Sequence, residues 1–102
     1  MRINVVGRKL EVTDAIRQYA ETKAGKLTKY FDGLQQVTVT LSRKNEQHSG
    51  NFEAELVLDV VGHDDFVSHA TGDDLYAAID LVSEKGERHL REFKDKLRTP
   101  NR

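Results

Sequence analysis

Residues 37–42, VTVTLS, alternate strictly between aliphatic and hydroxyl side chains. Val37, Val39 and Leu41 share one parity, and the hydroxyls at 38, 40 and 42 share the other. Because successive side chains of a strand point to opposite faces of a sheet, this pattern predicts a β-strand with one buried and one exposed face. The chain on either side must supply the rest of the sheet and the layer that covers its apolar face.

Upstream of this segment the chain predicts one strand and one helix. Residues 2–7, RINVVG, alternate in the same way and end at a glycine, which predicts a short first strand. Beyond Thr13 or Asp14, either of which suits an N-cap, apolar side chains recur at steps of three and four as far as YFDG at 30–33. A strand, a helix and a strand in this order indicate a right-handed crossover between parallel strands.

Downstream, the pattern predicts two more strands and a long helix. A polar loop, RKNEQHSGN at 43–51, precedes an alternating segment at 52–61, and GHDD at 62–65 reads as a hairpin turn into FVSHATG at 66–72. The second helix runs from about Asp73 to Leu97, with Pro100 beyond its end. Gly86 lies on its apolar stripe, which predicts either a softened helix or a neighbour that packs closely there.

These elements predict an α+β fold with the order βαβββα. A four-stranded sheet carries both helices on one face, in a single two-layer domain at residues 1–98 followed by a short tail at 99–102. The uncovered face is polar to acidic and lacks the aromatic side chains that an RNA-recognition motif stacks on bases. That face carries Thr38, Thr40, Glu53, Glu55, Asp59, His69 and Thr71.

Composition limits the class of protein. The 102 residues suffice for one small domain, and the absence of cysteine excludes disulfides, thiolate metal sites and a cysteine nucleophile. No segment approaches the ~20 apolar residues of a membrane span, and the N-terminus lacks the apolar run of a signal peptide. We therefore expect a cytoplasmic protein with no membrane partner.

The charges are segmented along the chain, although the net charge is only −1. Residues 1–45 contain nine Lys or Arg and four acids, residues 46–84 contain ten acids and no Lys or Arg, and residues 85–102 contain seven bases and three acids. A basic surface can therefore exist on a nearly neutral protein. Helix dipoles and i,i+4 ion pairs such as Glu87 with Arg91 account for part of this pattern without any partner. Two basic helices on one side of a sheet whose other side is acidic are harder to explain by solubility.

Lys23 is the most anomalous residue of the first helix. It lies within the apolar stripe, where a lysine must extend its amine to solvent or meet an anion, whereas Lys26 and Lys29 lie beside the stripe.

Catalytic interpretations are weaker. GDD at 72–74 resembles a metal-carboxylate tripeptide, but at a strand-to-helix junction it suits a turn and a helix cap. A metal-dependent enzyme that uses Asp64, Asp65, Asp73 and Asp74 stays open as an alternative, whereas His48, His69 and His89 are expected on the surface. The sequence carries no phosphate-binding loop, dinucleotide fingerprint or nucleophile elbow. We expect no enzyme, no cofactor and no small-molecule substrate.

Three segments resemble one family along nearly the whole chain. LEVTDAIRQYAETKAGKLTKYFDG at 10–33, VTVTLS at 37–42 and DDLYAAIDLVSEKGERHLREFKDKL at 73–97 are similar to the bacterial hibernation promoting factor and ribosome-associated inhibitor family. The resemblance implies a βαβββα fold like a double-stranded-RNA-binding domain. It also implies binding to the small ribosomal subunit in the channel for mRNA and the A- and P-site tRNAs, which shuts down translation in stationary phase or stress.

The resemblance implies six contacts to ribosomal RNA phosphates, and charge and placement add four more. The six are Lys23, Lys26, Lys85, Arg88, Lys94 and Lys96, and the four are Lys29, Arg91, Arg43 and Lys44. With Arg102 last, the chain resembles the short form of the family, which lacks a dimerisation domain and acts with a separate small modulation factor to pair ribosomes. We expect a monomer away from the ribosome. A general double-stranded-RNA-binding module remains the main alternative, since it would use the same helix face.

Overall fold

The computed structural model describes residues 1–44 and 51–98, and it confirms the order βαβββα. The predicted loop residues 45–50, including His48, and the tail 99–102 lie outside the described residues. A short 3-10 helix, Leu27–Lys29, follows the first α-helix. The elements are β1 Arg2–Arg8, α1 Asp14–Lys26, β2 Leu34–Arg43, β3 Phe52–Val60, β4 Phe66–Gly72 and α2 Leu75–Arg98.

The four strands form one sheet in the order β1-β2-β3-β4. β1 pairs with β2 in parallel, as the predicted crossover requires, and the other two pairings are antiparallel. The register places Val5 opposite Val39, Val39 opposite Leu56, and Leu56 opposite Ser68. All four side chains are buried on the face that carries α1 and α2. Both helices therefore cover one face of the sheet, as predicted.

The core lies between this face and the two helices. Ala20 and Ala24 of α1 and Ile79, Val82 and Leu90 of α2 are buried against the strand residues. Each large aliphatic side chain that is removed from water contributes about 1.5–3 kcal/mol, so this layer supplies most of the favourable free energy of folding. The largest side chains that are fully buried are Val37, Leu41, Leu56, Leu58, Ile79, Val82 and Leu90.

Both helices begin at side-chain caps. The Ile16 N–H donates to Thr13 Oγ1 at 3.2 Å, and the Ala77 N–H donates to Asp74 Oδ1 at 2.8 Å. These bonds satisfy N–H groups that have no partner within the helix. Asp74 thus serves as the helix cap that the sequence indicated, and α2 begins at Leu75 instead of at the predicted Asp73.

Two glycines allow close contact between α2 and the sheet. A Cβ atom at Gly86 would overlap Leu56 Cδ2, and one at Gly72 would lie 2.7 Å from the Ala78 backbone nitrogen. Gly86 is buried within a continuous helix, so close packing explains it and local softening does not.

The two faces of the sheet differ as predicted, with one addition. Glu53, Glu55 and Asp59 lie on the uncovered face, where His69 Nε2 approaches Glu55 Oε2 at 3.1 Å. Val6 and Val67 also lie there and are 47% and 48% exposed. At one edge of the sheet, Arg17 Nη1 of α1 donates to the Val5 carbonyl of β1 at 3.0 Å. Among the described residues, no helix has both the length and the hydrophobicity to cross a bilayer.

Candidate nucleic-acid interface

A polar junction joins the two helices at Lys23. Tyr19 Oη donates a hydrogen bond of 2.6 Å to Asp80 Oδ1, and Lys23 Nζ lies 3.2 Å from the same oxygen. The Lys23 amine also lies 5.6 Å from the centroid of the Tyr19 ring, whose edge contacts Tyr76 at a centroid distance of 4.9 Å. The anion that Lys23 requires is therefore a carboxylate of the opposite helix.

The three groups of this junction shift one another's pKa values. The hydrogen bond from Tyr19 and the Lys23 ammonium hold the pKa of Asp80 below 3.8. The hydrogen bond to Asp80 raises the pKa of Lys23 above 10.5, and the same carboxylate raises the pKa of the Tyr19 hydroxyl above 10.0. At neutral pH the junction thus holds an ionised aspartate, a charged lysine and a neutral tyrosine. The side chains of Lys23 and Asp80 are 32% and 41% exposed, so solvent screens the pair.

The structure brings Lys29, Arg91 and Lys94 together. With Tyr30 and Asp95 they line a cleft of about 220 Å³ between the end of α1 and the C-terminal half of α2. Arg91 Nη2 also lies 3.4 Å from Glu87 Oε2, which is the predicted i,i+4 pair. An adjoining cleft contains Lys23 and Lys26 together with Asp80, Glu84 and Glu87. We refer to this group as the interhelical cations: Lys23, Lys26, Lys29, Arg91 and Lys94.

Three more of the ten predicted contacts lie toward the β4 side of α2. Lys85 and Arg88 line a cleft of about 360 Å³ with His69 and His89, and Lys85 Nζ donates to the His69 carbonyl at 2.6 Å. Lys96 lines a smaller cleft beside the ring of Phe93. These residues, the β4-side cations, are Lys85, Arg88 and Lys96. Because a helix with its side chains is ~10–12 Å wide, α2 separates Lys85 and Lys96 from Lys94. Arg88 and Arg91 are three residues apart and are neighbours on the exposed face of the helix.

His89 is less exposed than the sequence suggested. Its Nδ1 lies 3.2 Å from Ser68 Oγ, and its ring lies 5.6 Å from that of Phe66. The expectation that His89 is a surface residue is therefore wrong in part, because the side chain is half-buried against β4.

Arg43 and Lys44 lie elsewhere. They line a cleft at the C-terminal ends of β1 and β2, together with Arg8 and Lys9. The Arg43 guanidinium lies over the Phe52 ring at 5.2 Å from its centroid. These two residues therefore do not join either group of cations on α2.

Two of the four aspartates in the metal hypothesis make hydrogen bonds within the fold. Asp74 caps α2, and the Asp64 carbonyl lies 2.7 Å from His63 Nδ1 within the hairpin turn. Within residues 1–44 and 51–98, no three His, Asp or Glu side chains lie close enough together to hold a metal ion. The metal-dependent enzyme therefore has no structural support in the described part of the chain.

Comparison with known proteins identifies the family. Residues 3–98 match the family described as "Sigma 54 modulation protein / S30EA ribosomal protein". The chain belongs to this family. Across 98 residues it is 38% identical to the ribosome hibernation promoting factor of Escherichia coli K12, an alignment that covers 96% of this chain and 98% of that protein. The family description names a modulation protein and a ribosomal protein, neither of which is an enzyme, as the sequence predicts for this chain.

Solved structures of two relatives share the fold. The N-terminal domain of Protein Y from Thermus thermophilus is 37% identical and superposes with a TM-score of 0.77, covering 91% of this chain and 99% of that domain. A ribosomal subunit interface protein from Coxiella burnetii superposes with a TM-score of 0.78 at 21% identity, covering 94% of this chain and 100% of that one. The second similarity concerns the fold alone.

The sequence pattern did not indicate the partners of Lys23 or the position of Tyr30 in the cleft of Lys29, Arg91 and Lys94. The apolar periodicity places Tyr19 and Tyr30 at the core or its edge, and it assigns Lys23 no specific partner. Tyr19 precedes Lys23 by one helical turn, and Asp80 is an acid beside the stripe of α2. Tyr30 also lines the cleft of Lys29, Arg91 and Lys94. A search for tyrosine and acid side chains at the edges of both stripes would have indicated these residues.

Proposed function

We propose that this protein is a ribosome hibernation factor. In this proposal it binds the small ribosomal subunit in the cytoplasm, occupies the channel for mRNA and the A- and P-site tRNAs, and so inhibits translation by steric occlusion in stationary phase or stress. The observation that carries the proposal is the 38% identity to a ribosome hibernation promoting factor across nearly the full length of both chains.

The face formed by α1 and α2 supports ribosomal RNA as the ligand. Lys29, Arg91 and Lys94 line one open cleft, and an RNA phosphate placed there would meet several cations at once. Phosphate contacts of this kind supply affinity that is independent of sequence and falls steeply with salt. The acidic uncovered face of the sheet would repel RNA and thus favour a single orientation.

The separation of the cations into two groups favours a channel over an isolated duplex. The interhelical cations and the β4-side cations lie on opposite flanks of α2. RNA can bridge the two groups at Arg88 and Arg91, but contact with both Lys85 and Lys94 requires RNA on two sides of the helix, which one convex duplex does not supply. A general double-stranded-RNA-binding module is therefore the less suitable explanation.

Lys23 is the weakest of the eight proposed contacts. Its ammonium is shared with Asp80 and the Tyr19 ring, so a phosphate would compete with a carboxylate that is already in place. We propose that Lys23 mainly positions α1 against α2, and that the contacts to RNA come chiefly from Lys26, Lys29, Lys85, Arg88, Arg91, Lys94 and Lys96.

Sedimentation with ribosomes tests the proposal. Lys26→Gln/Lys94→Gln removes two positive charges from the interhelical cations, and we expect it to bind purified ribosomes about tenfold more weakly than wild type. Wild-type protein should move with the small subunit in a sucrose gradient at low salt and leave it at high salt. The same gradient shows whether a peak heavier than single ribosomes forms, with and without a separate modulation factor.

The matched control adds the same negative charge elsewhere. Asn4→Asp/Gln35→Glu alters net charge by the same amount on strand residues, with almost no change in side-chain shape, and should bind like wild type. A wild-type protein that stays at the top of the gradient at low salt would refute the proposal. A protein that binds a short RNA duplex as tightly as it binds ribosomes would instead be a general double-stranded-RNA-binding module.

A further inference from the structure

A separate cleft lies away from α2. It measures about 460 Å³ and opens where β1 and β2 end. α1 starts near this end of the sheet and runs back for 13 residues, so the cleft lies ~20 Å from Lys26 along the helix. The cleft is therefore separate from both the interhelical cations and the β4-side cations.

Four cations line this cleft, together with two carboxylates. They are Arg8, Lys9, Arg43 and Lys44, and the carboxylates are Glu11 and Glu53. Among the described residues, none of the four forms an ion pair within 4 Å, even though acids share the cleft with them. The Arg43 guanidinium lies over the Phe52 ring, at 5.2 Å from its centroid. The cleft thus has an excess of positive charge that the described residues do not neutralise.

Lys9 occupies a backbone conformation that lysine adopts rarely. Its φ is +58°, in the left-handed region, where glycine or asparagine is the usual residue. Gly7 lies two residues earlier, and a Cβ atom there would overlap the Leu10 carbonyl oxygen, so the turn is tight. A lysine thus occupies this strained position, in the same cleft as three other cations. Strain of this kind often marks a functional site.

We infer that the cleft of Arg8, Lys9, Arg43 and Lys44 binds a phosphate group. Arginine and lysine donors that converge from two strand ends and a tight turn suit a phosphoryl oxygen, which accepts several charge-assisted hydrogen bonds at once. The phosphate comes from an RNA backbone or from a free nucleotide. If it belongs to RNA, the protein contacts the nucleic acid at both ends of its sheet.

Amide chemical shifts of the isolated full chain test this inference without ribosomes. Inorganic pyrophosphate, ATP and a short single-stranded RNA with no terminal phosphate are added separately, at constant ionic strength kept with sodium chloride. We expect saturable shifts at residues 8–11 and 42–44 at millimolar ligand or below. Saturation by RNA identifies the backbone as the source, and saturation by ATP but not RNA identifies a nucleotide.

Lys9→Gly is the decisive variant, since it should weaken pyrophosphate binding about tenfold while it raises the melting temperature. Arg43→Gln should weaken binding to a similar degree. Arg2→Gln, which removes the same charge from the other end of β1, should bind as wild type does.

Shifts that are unsaturable, or spread equally over all basic residues, overturn the inference, as does a Lys9→Gly protein that binds like wild type. Because no ribosome is present, these results are independent of the sedimentation experiment.

Discussion

Lys23 shows how one cation can link two helices. Its aliphatic stem lies at the edge of the apolar stripe of α1, and its ammonium reaches Asp80 on α2. Tyr19 completes the junction by donating to the same carboxylate oxygen. The junction connects the two helices beside the cleft that Lys23 and Lys26 line.

Removing the carboxylate of Asp80 should loosen this junction in a pH-dependent way. The folded pKa of Asp80 lies below 3.8, so the carboxylate contributes stability above that value and loses it as the pH falls below it. We expect Asp80→Asn to lower the free energy of unfolding by at most about 1 kcal/mol at neutral pH, because the pair is partly exposed. Urea titrations of both proteins from neutral pH to about pH 2 should show the difference shrink.

The contribution of Lys23 to stability depends on pH in the opposite sense. Its pKa is raised above 10.5, so its part of the stability is present at lower pH and is lost only as the pH rises past the raised value.

Tyr19→Phe removes the hydroxyl donor of the junction and provides the control. Tyr19→Phe and Asp80→Asn combined should lower the free energy of unfolding by less than the two single changes added together. Fully additive losses would show that the two groups do not act as a unit.

At the scale of one element, α2 depends on a glycine that helix propensity alone disfavours. Gly86 costs about 1 kcal/mol relative to alanine in a helix, yet Leu56 occupies the space that a Cβ atom would need. Close packing of the helix on β3 thus outweighs propensity at this position.

Alanine at the two helical glycines should have opposite effects. Gly86→Ala should destabilise the protein by about 1 kcal/mol, because strain against Leu56 exceeds the gain in propensity. At Gly25 of α1 a Cβ atom meets nothing within 4 Å, so Gly25→Ala should stabilise the protein by a few tenths to about 1 kcal/mol. Thermal and urea unfolding of the two variants measure both effects. Leu56→Val in the Gly86→Ala background should recover part of the loss, and no recovery would contradict the packing argument.

Element boundaries mark the limit of what the pattern of this sequence predicts. The alternation at 37–42 gave the centre of β2, but Leu34, Gln35 and Gln36 belong to the strand through a register shift that breaks the alternation. Similarly, α1 ends at Lys26, and a 3-10 helix follows at Leu27–Lys29. The apolar periodicity of the sequence continues as far as Phe31, but the α-helical hydrogen bonding does not. Local periodicity identifies elements, whereas tertiary contacts decide where they end.

For the whole molecule, the segmented charge of the chain becomes an arrangement of faces. The acidic residues of β3 lie on the uncovered face, and the basic residues of α1 and α2 lie on the other side. The sequence predicted these two sides from parity alone. It could not predict which of the candidate cations line a common cleft, since that depends on how α2 is seated between α1 and β4.

Neutralising acidic residues of the uncovered face should make binding less selective for ribosomes over other RNA. Glu55→Gln/Asp59→Asn removes two negative charges and leaves Glu53, which lines the cleft of Arg8 and Lys9, unchanged. We expect it to bind an unrelated RNA duplex several-fold more tightly at low salt, with little change in sedimentation with ribosomes. Fluorescence anisotropy across a series of salt concentrations measures the first effect. Unchanged duplex affinity would show that the acidic face does not orient the protein.

The Arg17 contact to the Val5 carbonyl has a further consequence for the free protein. β1 is an edge strand, and edges of this kind recruit strands of other molecules through unpaired backbone groups. Here Arg17 lies across the strand, and Arg2 and Arg8 place like charges at both of its ends. A second copy that adds a strand at this edge would have to displace the Arg17 guanidinium. Its own arginines would also come close to Arg2 and Arg8, which carry the same charge. These arginines thereby oppose amyloid-like stacking of one molecule on another along this edge strand.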